Sequence, residues 1–431
     1  MARKMKDSGI EWIGEIPEGW EISKVSYFYE VQLGKMLQPQ KKSETDTEEK
    51  YLCAANVGKN SLSLDTLKTM WFSQTEKHQF DLKEGDLLVV EGGDVASCAI
   101  IETPVRNLFF QNALHRVRPL HNESVAFLRY WLMTAKSYGY IDLICNKATI
   151  AHFSKEKFIA LPIPVIPQDI QSKIVSFLDL ECKQIDDLLS KSRSSIEEYK
   201  KLKQAVITQA VTKGVRGKRE MKDSGVEWIG EIPVDWEISR IKYVSIFEPS
   251  CDFRKLTPET IITYSPMECI KNGTFERRTS LYGNLAHTLT PFQNGDIVMA
   301  KVTPCFENGN IAIMNELQSG YGLGSSELFV FRPQNINTRY LFYWLQNKLF
   351  VHQACATMTG TGGLKRISPS FVKNCNIHYP STAEQAQIAA YLDTKCAEID
   401  KLIAKKEQLV KELDSYKKSL IYEVVTGKRE V

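Results

Sequence analysis

The sequence lacks any long hydrophobic run. No stretch approaches the roughly 18 consecutive apolar residues that a membrane-spanning helix needs. The first residues, Met-Ala-Arg-Lys-Met-Lys, lead into polar sequence without the apolar centre of a signal peptide. The ten cysteines are scattered, with no C-x-x-C pair and no Cys/His spacing typical of a zinc site. We therefore expect a cytoplasmic protein with free thiols, no membrane segment and no metal of its own.

An excess of charge of one sign is also missing. The 431 residues contain 55 Lys and Arg against 52 Asp and Glu, a net charge of +3, so no overall field attracts a polyanion. If nucleic acid is bound, the basic residues must be clustered locally. Hydrophobic residues at 43% and charged residues at 25% exclude a disordered chain. The length favours two to four domains.

Familiar catalytic motifs are absent as well. The sequence contains no G-x-x-x-x-G-K-[ST], no H-E-x-x-H, no G-x-S-x-G, and no G-x-G-x-x-G after a strand. The Asn/Asp-Pro-Pro-aromatic tetrapeptide of amino-methyltransferases does not occur, and the seven histidines form no cluster. Catalytic residues can be dispersed along a chain, so these absences favour a protein without an active site but leave an enzyme open.

What the sequence does contain is a repeat. Residues 5–23 read MKDSGIEWIGEIPEGWEIS, and residues 221–239 read MKDSGVEWIGEIPVDWEIS, with three differences. The tripeptide Tyr-Trp-Leu recurs at 130–132 and 343–345. A period of more than 200 residues indicates two copies of a whole domain.

A long helical pattern follows in each half, and the two patterns match at an offset of 214 residues. The matched residues are Gln171, Ile174, Leu178, Asp179, Cys182, Ile185 and Asp186, which recur as Gln385, Ile388, Leu392, Asp393, Cys396, Ile399 and Asp400. Both halves then end on Gly-Lys-Arg-Glu, at 217–220 and 427–430. The shared stretches are joined directly at Glu220–Met221. We therefore expect the two ends of the chain to meet in space as this internal junction does.

Both helical patterns carry apolar residues at alternating spacings of four and three, which is heptad spacing. These seam positions are Ile185, Leu189, Ile196, Tyr199 and Val206 in the first helix and Ile399, Ile403, Val410, Leu413 and Leu420 in the second. Polar residues interrupt the seam at Ser192 and Lys203 and at the matched Lys406 and Lys417, and Leu188, Leu202, Leu402 and Leu409 are expected to widen the apolar stripe.

Each helix, of about 40 residues at 1.5 Å per residue, would span roughly 60 Å. A helix of this length cannot bury its stripe alone, so we expect the two helices to pack against each other. Because they belong to a pseudo-two-fold repeat, an antiparallel pair is favoured. The alternative is that each helix belongs only to the core of one globular domain.

The variable segments, 24–160 and 240–375, share few identities and mix short strand patterns, Gly/Asn turns and one aromatic helix. The predicted fold class is α/β (α+β): two similar mixed α/β domains, with irregular and mostly antiparallel sheets, joined by two long antiparallel coiled-coil-like helices in a pseudo-two-fold internal repeat. A repeat with matching shared stretches and different variable segments is typical of two versions of one binding module that bind different targets.

Polar and basic loops in the variable segments are candidate DNA contacts, because Arg and Lys bind phosphates or guanine edges and Asn binds adenine edges. The candidates are Lys35, Lys41, Lys42, Lys59, Asn60, Lys147 and Thr149 in the first half and Arg254, Lys255, Arg277, Arg278, Lys365 and Arg366 in the second. The glycine-rich run before Lys365 allows close backbone approach to a phosphate, although it lacks the Lys-Ser/Thr of a phosphate-binding loop. The ordinary alternative for each residue is a solvated surface charge.

The opening K-M-K-x-S-G-[IV]-x-W-[IL]-G-x-I-P-x-x-W, at 4–20 and, with Glu220 in the first place, at 220–236, resembles the specificity subunit of type I restriction–modification systems. So does the order of Pro, Gln, Ile and Leu-Asp at the entry to each helix, at 167–179 and 380–393. The family carries Glu-Gln at this entry. The second copy keeps it as Glu384-Gln385, whereas the first has Ile170-Gln171.

The resemblance covers the whole chain and implies four segments. These are target recognition domain 1 with the shared N-terminal stretch at 1–165, a central conserved helix at 166–215, target recognition domain 2 at 216–379 and a distal conserved helix at 380–431. Each recognition domain would read one half of a bipartite site in double-stranded DNA. The helix pair would set the unread spacer and dock two modification subunits, and the chain itself would have no active site.

The resemblance also implies where the cofactors lie. No cofactor is expected in this chain: S-adenosylmethionine, ATP and Mg²⁺ would be bound by partner subunits, and restriction subunits with motor and nuclease activity would join the larger complex. Two alternatives remain. A self-contained methyltransferase or nuclease would act alone on DNA with S-adenosylmethionine or Mg²⁺, and a scaffold that does not bind DNA would show no salt-dependent DNA binding.

Overall fold

The structure is a computed structural model that describes residues 3–58, 61–145, 151–271, 273–286, 288–360 and 363–431. The chain forms two compact units: unit 1 comprises Met1–Ser192 and Gln408–Val431, and unit 2 comprises Arg193–Glu407. Each unit contains one shared N-terminal stretch, one variable segment and one half of each long helix.

The strands and helices of unit 1 alternate through the variable segment and end in a long helix. The strands are β1 (Met5–Asp7), β2 (Glu15–Pro17), β3 (Glu21–Lys24), β4 (Tyr29–Leu33), β5 (Thr47–Leu52), β6 (Lys68–Phe72), β7 (Leu87–Val90), β8 (Cys98–Ile100), β9 (Leu108–Phe110), β10 (Leu114–Pro119) and β11 (Pro162–Val165). The helices are α1 (Gln74–Gln79), α2 (Val125–Ser137), α3 (Tyr140–Ile144), α4 (Lys155–Ile159) and α5 (Gln168–Lys213), which continues into unit 2.

Unit 2 repeats this order with additional short strands. The strands are β12 (Met221–Asp223), β13 (Glu231–Pro233), β14 (Glu237–Arg240), β15 (Ser245–Phe247), β16 (Ile261–Ser265), β17 (Ile270–Lys271), β18 (Thr274–Phe275), β19 (Arg278–Leu281), β20 (Thr290–Gln293), β21 (Ile297–Ala300), β22 (Ile311–Ile313), β23 (Tyr321–Gly324), β24 (Leu328–Pro333) and β25 (Asn376–Tyr379). The helices are α6 (Ile241–Val244), α7 (Thr338–Trp344), α8 (Lys348–Ala356), α9 (Pro369–Asn374) and α10 (Thr382–Val425), which returns into unit 1.

The two units share a common set of sheets, which together with the long-helix segments we call the frame. An antiparallel sheet has the order β4-β10-β7-β8 in unit 1 and β15-β24-β21-β22 in unit 2. The pairs β1–β2 and β3–β11 of unit 1 recur as β12–β13 and β14–β25. Each unit adds a different sheet, β6-β5-β9 in unit 1 and β19-β16-β23-β20 in unit 2, and both added sheets contain one parallel pair. The predicted mixed and mostly antiparallel fold is confirmed.

An unbroken apolar strand lies at the centre of the frame. In β7, Leu87 and Val89 belong to the core shared with α2 and α5, whereas Leu88 and Val90 belong to the core under the added sheet. In the strand β21, Ile297 and Met299 belong to one core and Val298 between them belongs to the other. Successive side chains of a strand point to opposite faces, so a strand that is apolar at every position is one buried on both faces.

The long helices pair within each unit. In unit 1, Lys417 Nζ donates to both carboxylate oxygens of Asp186 at 2.6 and 2.7 Å, and Arg429, just beyond α10, lies over the ring of Phe177. In unit 2, Lys203 Nζ donates to both oxygens of Asp400 at 2.7 Å.

A second contact in unit 2 joins Arg216, just beyond α5, to Gln387 of α10 at 3.2 Å. In both units, rising numbers along the α5 segment meet falling numbers along the α10 segment. The paired segments are therefore antiparallel, as the pseudo-two-fold repeat predicts.

The seam residues form the inner face of each helix. Ile185, Leu189, Ile196, Ile399 and Leu420 are buried, and Tyr199, Val206, Ile403, Val410 and Leu413 are half-buried. The expectation that Leu188, Leu202, Leu402 and Leu409 widen the buried stripe is wrong, because all four are exposed. The alternative of a purely globular role is partly right, since residues towards both ends of α5 and α10 also enter the cores of the units.

The chain ends meet inside unit 1. The backbone oxygen of Ile13 accepts hydrogen bonds from Lys428 Nζ at 2.8 Å and Tyr422 Oη at 2.9 Å. Gly427 ends the helix with φ of 73°, and a Cβ at this position would lie within 3 Å of Pro17 and Trp20. In unit 2, Gly214 follows α5 with φ of 77° and lies against Trp236. Each shared stretch thus packs on the end of one long helix, as the repeat predicts.

The compact units do not coincide with the four segments expected from the sequence. The boundary between the units falls inside α5, after Ser192, and inside α10, after Glu407. Each helix half packs into the core of its own unit, so neither helix stands apart as a domain. None of the described helices is both long enough and apolar enough to cross a membrane.

Candidate nucleic-acid interface

Polar residues that recur in the two halves hold the frame. The side chain of Gln171 accepts from the backbone N–H of Ser124 at 3.1 Å and donates to the carbonyl of Ile166 at 2.9 Å. Its counterpart Gln385 makes the same two kinds of bond at 2.7 and 2.9 Å. Each glutamine thus ties the start of the aromatic helix, α2 or α7, to the strand end that precedes the long helix.

A recurring aspartate on each long helix binds the aromatic helix of the same unit. Tyr130 Oη donates to Asp179 at 2.6 Å, and Tyr343 Oη donates to Asp393 at 2.7 Å. These bonds explain why Tyr-Trp-Leu and Leu-Asp recur together in the sequence.

The departure from the family pattern at Ile170 has a structural counterpart. Glu384, which stands in the matching position of unit 2, is buried and accepts from Arg219 Nη1 at 2.5 Å. Arg219 Nη2 also donates to both oxygens of Asp235 at 2.6 and 2.7 Å. Unit 1 has Ile170 and Gly19 at the matching places, so this ion-pair cluster belongs to unit 2.

Lys35, one of the candidate DNA contacts, is not an exposed loop residue. This side chain is only 5% exposed, its Nζ donates to Gln38 at 2.8 Å, and it forms an ion pair with Glu76. Gln38 in turn donates to the buried Asp46, whose pKa is lowered by hydrogen bonds from the backbone amides of Lys42 and Ser43. Because its ammonium group is buried and bonded within this network, a phosphate would have to displace Glu76 to bind it.

Lys41 and Lys42 lie on the same loop and are exposed. Lys41 Nζ lies 5.7 Å from the centre of the Trp71 ring, whereas Lys42 is held through its backbone amide, which donates to Asp46 at 3.0 Å. Both ammonium groups can therefore reach a phosphate. Four further candidates, Lys59, Asn60, Lys147 and Thr149, lie outside the described residues.

The arginine candidates of unit 2 are exposed but paired with carboxylates. Arg254 makes two hydrogen bonds to Asp252, both at 2.8 Å, and its neighbour Lys255 is exposed. Arg277 is paired with Glu316. A phosphate would have to compete with these carboxylates.

Arg278 begins β19 and is bonded to two carboxylates. Its guanidinium lies 3.0 Å from Glu276 and 3.2 Å from Glu268. The hydrogen bond from Arg278 lowers the pKa of Glu276, so that carboxylate stays ionised. Arg278 is therefore less available to DNA than the sequence alone suggests.

Lys365 and Arg366 follow the glycine-rich run, and both are exposed. The backbone of Lys365 is fixed by two hydrogen bonds with Thr303, at 2.9 and 3.0 Å. Arg366 donates to Glu327 through Nε at 3.0 Å and through Nη2 at 2.6 Å. This hydrogen-bonded pair lowers the pKa of Glu327 and raises that of Arg366, so both groups remain charged.

One candidate pair was missed by sequence reasoning. His152 Nδ1 lies 3.1 Å from both carboxylate oxygens of Glu91, and this histidine is exposed. The signal was present in the sequence, because residue 152 precedes residue 366 by the same 214 positions that relate the long helices. A lone histidine in a variable segment does not indicate this correspondence. It becomes visible only when the offset of 214 residues is also applied to the residues that precede the long helix.

Two copies of one mixed α/β frame with different added sheets and loops define a tandem recognition protein. Residues 17–198 and 233–412 match the family described as the type I restriction modification DNA specificity domain. The two matches cover most of the sequence, so the chain belongs to this family.

Relatives of known class support this placement. The specificity subunits of the type I restriction enzymes EcoEI and EcoAI from Escherichia coli are 32% and 34% identical over 163 residues, which are 37% of this chain. The chain matches only 27% of the length of each of these two relatives. The specificity subunit of the type I restriction enzyme MjaVIII from Methanocaldococcus jannaschii is 22% identical, over 96% of this chain and 94% of its own length.

Solved structures share the fold. A chain from a study of complex assembly and conformational transition in a type I R-M system has a TM-score of 0.71 at 13% identity, over 95% of this chain and 98% of its own. The HsdS subunit from Thermoanaerobacter tengcongensis has a TM-score of 0.50, also at 13% identity, over 96% and 98%. At this identity the likeness concerns the fold alone.

Proposed function

We propose that the protein is the DNA-recognition subunit of a type I restriction–modification complex. Unit 1 reads one half of a bipartite site in double-stranded DNA, and unit 2 reads the other half. The observation that carries this proposal is one frame built twice, with a different added sheet and different polar loops on each copy. Two copies of one frame that differ in their added sheets and loops are suited to bind two different targets of the same chemical kind.

The long helices have a separate role in this proposal. Both α5 and α10 cross the boundary between the units, so their length sets how many base pairs lie unread between the half-sites. Their exposed apolar residues, among them Leu188, Leu202, Leu402 and Leu409, supply contacts for two modification subunits.

We also propose that the chain performs no catalysis. Partner subunits bind S-adenosylmethionine, ATP and Mg²⁺, and restriction subunits join the complex that cleaves DNA. Family membership and the missing catalytic motifs support this division of labour. The assembly would act in the cytoplasm, where the host DNA lies.

A domain replacement tests the recognition proposal. In a chimera, residues 24–160 are replaced by residues 240–375, so that both units carry the same variable segment between unchanged shared stretches. The chimera and the wild-type chain are each expressed with the modification subunits, and methylated adenines are mapped by sequencing. We expect a bipartite motif with two different halves for the wild type and two identical, inverted halves for the chimera. An unchanged motif in the chimera would contradict the proposal.

Methyl transfer from radiolabelled S-adenosylmethionine tests the absence of catalysis. The purified chain with DNA is expected to transfer no label, whereas addition of the modification subunits is expected to restore transfer. Transfer by the chain alone would instead support the self-contained enzyme. DNA binding by the reconstituted complex should weaken as salt is raised, because phosphate contacts release counterions, and salt-independent binding would favour a scaffold.

A further inference from the structure

His152 and Arg366 occupy the same place in the two frames. His152 forms an antiparallel bridge with Gly92, just beyond β7, and Arg366 forms one with Val302, just beyond β21. The residues that follow them donate backbone hydrogen bonds to equivalent carbonyls, from Phe153 to Glu91 at 2.7 Å and from Ile367 to Lys301 at 3.0 Å.

Each of these side chains is held by a carboxylate, but the carboxylates come from different strands. In unit 1 the carboxylate is Glu91, at the end of β7, and the matching position in unit 2 is Lys301. In unit 2 the carboxylate is Glu327, just before β24, and the matching position in unit 1 is Ala113. The backbone arrangement is therefore the same in the two units, whereas the side chains at the matching positions differ.

This pattern differs from that of the polar residues that hold the frame. Gln171 and Gln385, or Asp179 and Asp393, are the same residue type in both units and make the same bonds. At the His152 and Arg366 position the residue types differ, and the side chains are 56% and 54% exposed. An exposed contact of this kind contributes little to stability, so stabilising the fold gives little reason for a carboxylate at both places.

Each carboxylate bonds only one side of its partner side chain. Glu327 bonds Nε and Nη2 of Arg366, which leaves the edge formed by Nη1 and the second hydrogen of Nη2. This edge matches the O6 and N7 acceptors of guanine in the major groove. Glu91 bonds Nδ1 of His152, which leaves Nε2 on the other side of the ring to bond a base edge.

We propose that His152 and Arg366 are corresponding base-reading residues, one for each half of the DNA site, and that Glu91 and Glu327 are their positioning residues. Arg366 reads a guanine in the half recognised by unit 2, and His152 reads one base pair in the half recognised by unit 1. This inference rests on the proposed function and adds to it which residues specify a base.

Methylation kinetics on a panel of duplexes test this assignment. The complex with modification subunits is assayed on the cognate site and on sites with each single base-pair change. Arg366→Ala is expected to reduce discrimination at one guanine position of one half-site by about five- to a hundredfold, the range for loss of a bidentate base contact. Arg366→Lys should relax the same position, because lysine keeps the charge but lacks the planar fork.

The positioning residues and the other unit provide paired variants. Glu327→Ala should relax the same position as Arg366→Ala, to a smaller extent. His152→Ala and Glu91→Ala should each relax one position in the opposite half-site and leave the first half unchanged. Arg339→Ala is the matched control, because Arg339 is a half-exposed arginine of unit 2 paired with Asp393 of the frame. This control should relax no base position.

The outcomes separate the inference from the function on which it rests. Full discrimination at every position in Arg366→Ala and Arg366→Lys would overturn the inference, as would equal losses in both half-sites. If Arg366→Ala does not fold, Arg366→Lys alone decides. A wild-type complex with no bipartite motif would instead overturn the proposed function.

Discussion

At the residue scale, the environment of His378 is unusual for a charged or polar side chain. The imidazole is 1% exposed, stacks on Trp236 at a centroid distance of 5.8 Å and meets the edge of Trp344 at 6.1 Å. Burial lowers the pKa of His378 from 6.5 to about 4. Burial also lowers the pKa of His115 in unit 1, which bonds the carbonyl of Phe153 at 2.7 Å.

The lowered pKa of His378 predicts a pH dependence of the stability of unit 2. As pH falls below about 6.5, the unfolded chain binds a proton at this histidine while the folded chain stays neutral until about pH 4. The stability that unit 2 gains from keeping this imidazole neutral is therefore fully present above pH 6.5, and it is lost as the pH falls from 6.5 to 4. Between pH 7 and pH 4.5, the free energy of unfolding should fall by less in His378→Phe than in the wild type, by on the order of 3 kcal/mol. Denaturant unfolding at the two pH values measures this difference.

The exposed His352 of α8 supplies the control for this measurement. His352→Phe should leave the pH dependence of unfolding close to that of the wild type. If His378→Phe and the wild type lose equal stability between pH 7 and pH 4.5, the buried histidine does not carry the effect.

At the element scale, two of the four polar interruptions of the helix seam, Lys203 and Lys417, form reciprocal ion pairs. Lys203 and Lys417 occupy matching positions of α5 and α10, and so do Asp186 and Asp400. Each lysine bonds the aspartate of the other helix, Lys417 with Asp186 in unit 1 and Lys203 with Asp400 in unit 2. Because the segments are antiparallel, one Asp and one Lys on each repeat are enough to form a pair in each unit.

A charge reversal tests these pairs. Lys203→Asp places two carboxylates together in unit 2 and should destabilise it by about 1 kcal/mol, since exposed pairs are worth up to this amount. Asp400→Lys alone should do the same, and the double exchange should recover most of the loss. A double-mutant cycle by thermal unfolding measures the coupling. The control is the same pair of exchanges at Lys417 and Asp186, which should affect unit 1. Additive effects of the two single changes would show that the pair is not coupled.

At the scale of the whole molecule, both long helices cross the boundary between the units. Seven residues inserted after Ser192 and seven after Glu407 add two turns to each helix and preserve the heptad seam. The added length of about 10 Å corresponds to up to about three base pairs. We expect the methylated motif to keep both half-sites and to gain a longer unread spacer.

The matched control is a seven-residue insertion in α5 alone. It displaces one side of the antiparallel pair against the other and should impair assembly rather than lengthen the spacer. An unchanged spacer after the double insertion, in an active complex, would argue against a spacing role for the helices.

The meeting of the chain ends predicts a tolerated circular permutation. A chain that begins at Met221 and ends at Glu220, with Val431 joined to the N-terminal stretch through a short Gly/Ser linker, keeps the packing of that stretch on the end of α10. We expect it to fold and to direct methylation to the wild-type motif. Gly427→Ala in the permutant should disrupt this packing, because the added Cβ would clash with Pro17 and Trp20. Failure of the unmodified permutant to fold would show that the internal junction is needed.

The sequence by itself determined the duplication, the heptad seam, the mixed fold and the residues that hold the frame. Each of these is a local or periodic signal: an apolar side chain every three or four residues, or a motif written twice. The shared Gln, Tyr and Asp positions could be matched without knowing what they touch.

Only the tertiary structure decided which charged side chains are exposed and which are held by a carboxylate. Lys35 reads as a loop cation, yet it is buried against Glu76, and Arg366 meets Glu327, 39 residues away. His152 meets Glu91 across 61 residues. Such pairs depend on which strands lie side by side in a sheet, and strand order is not encoded in the spacing of any single segment.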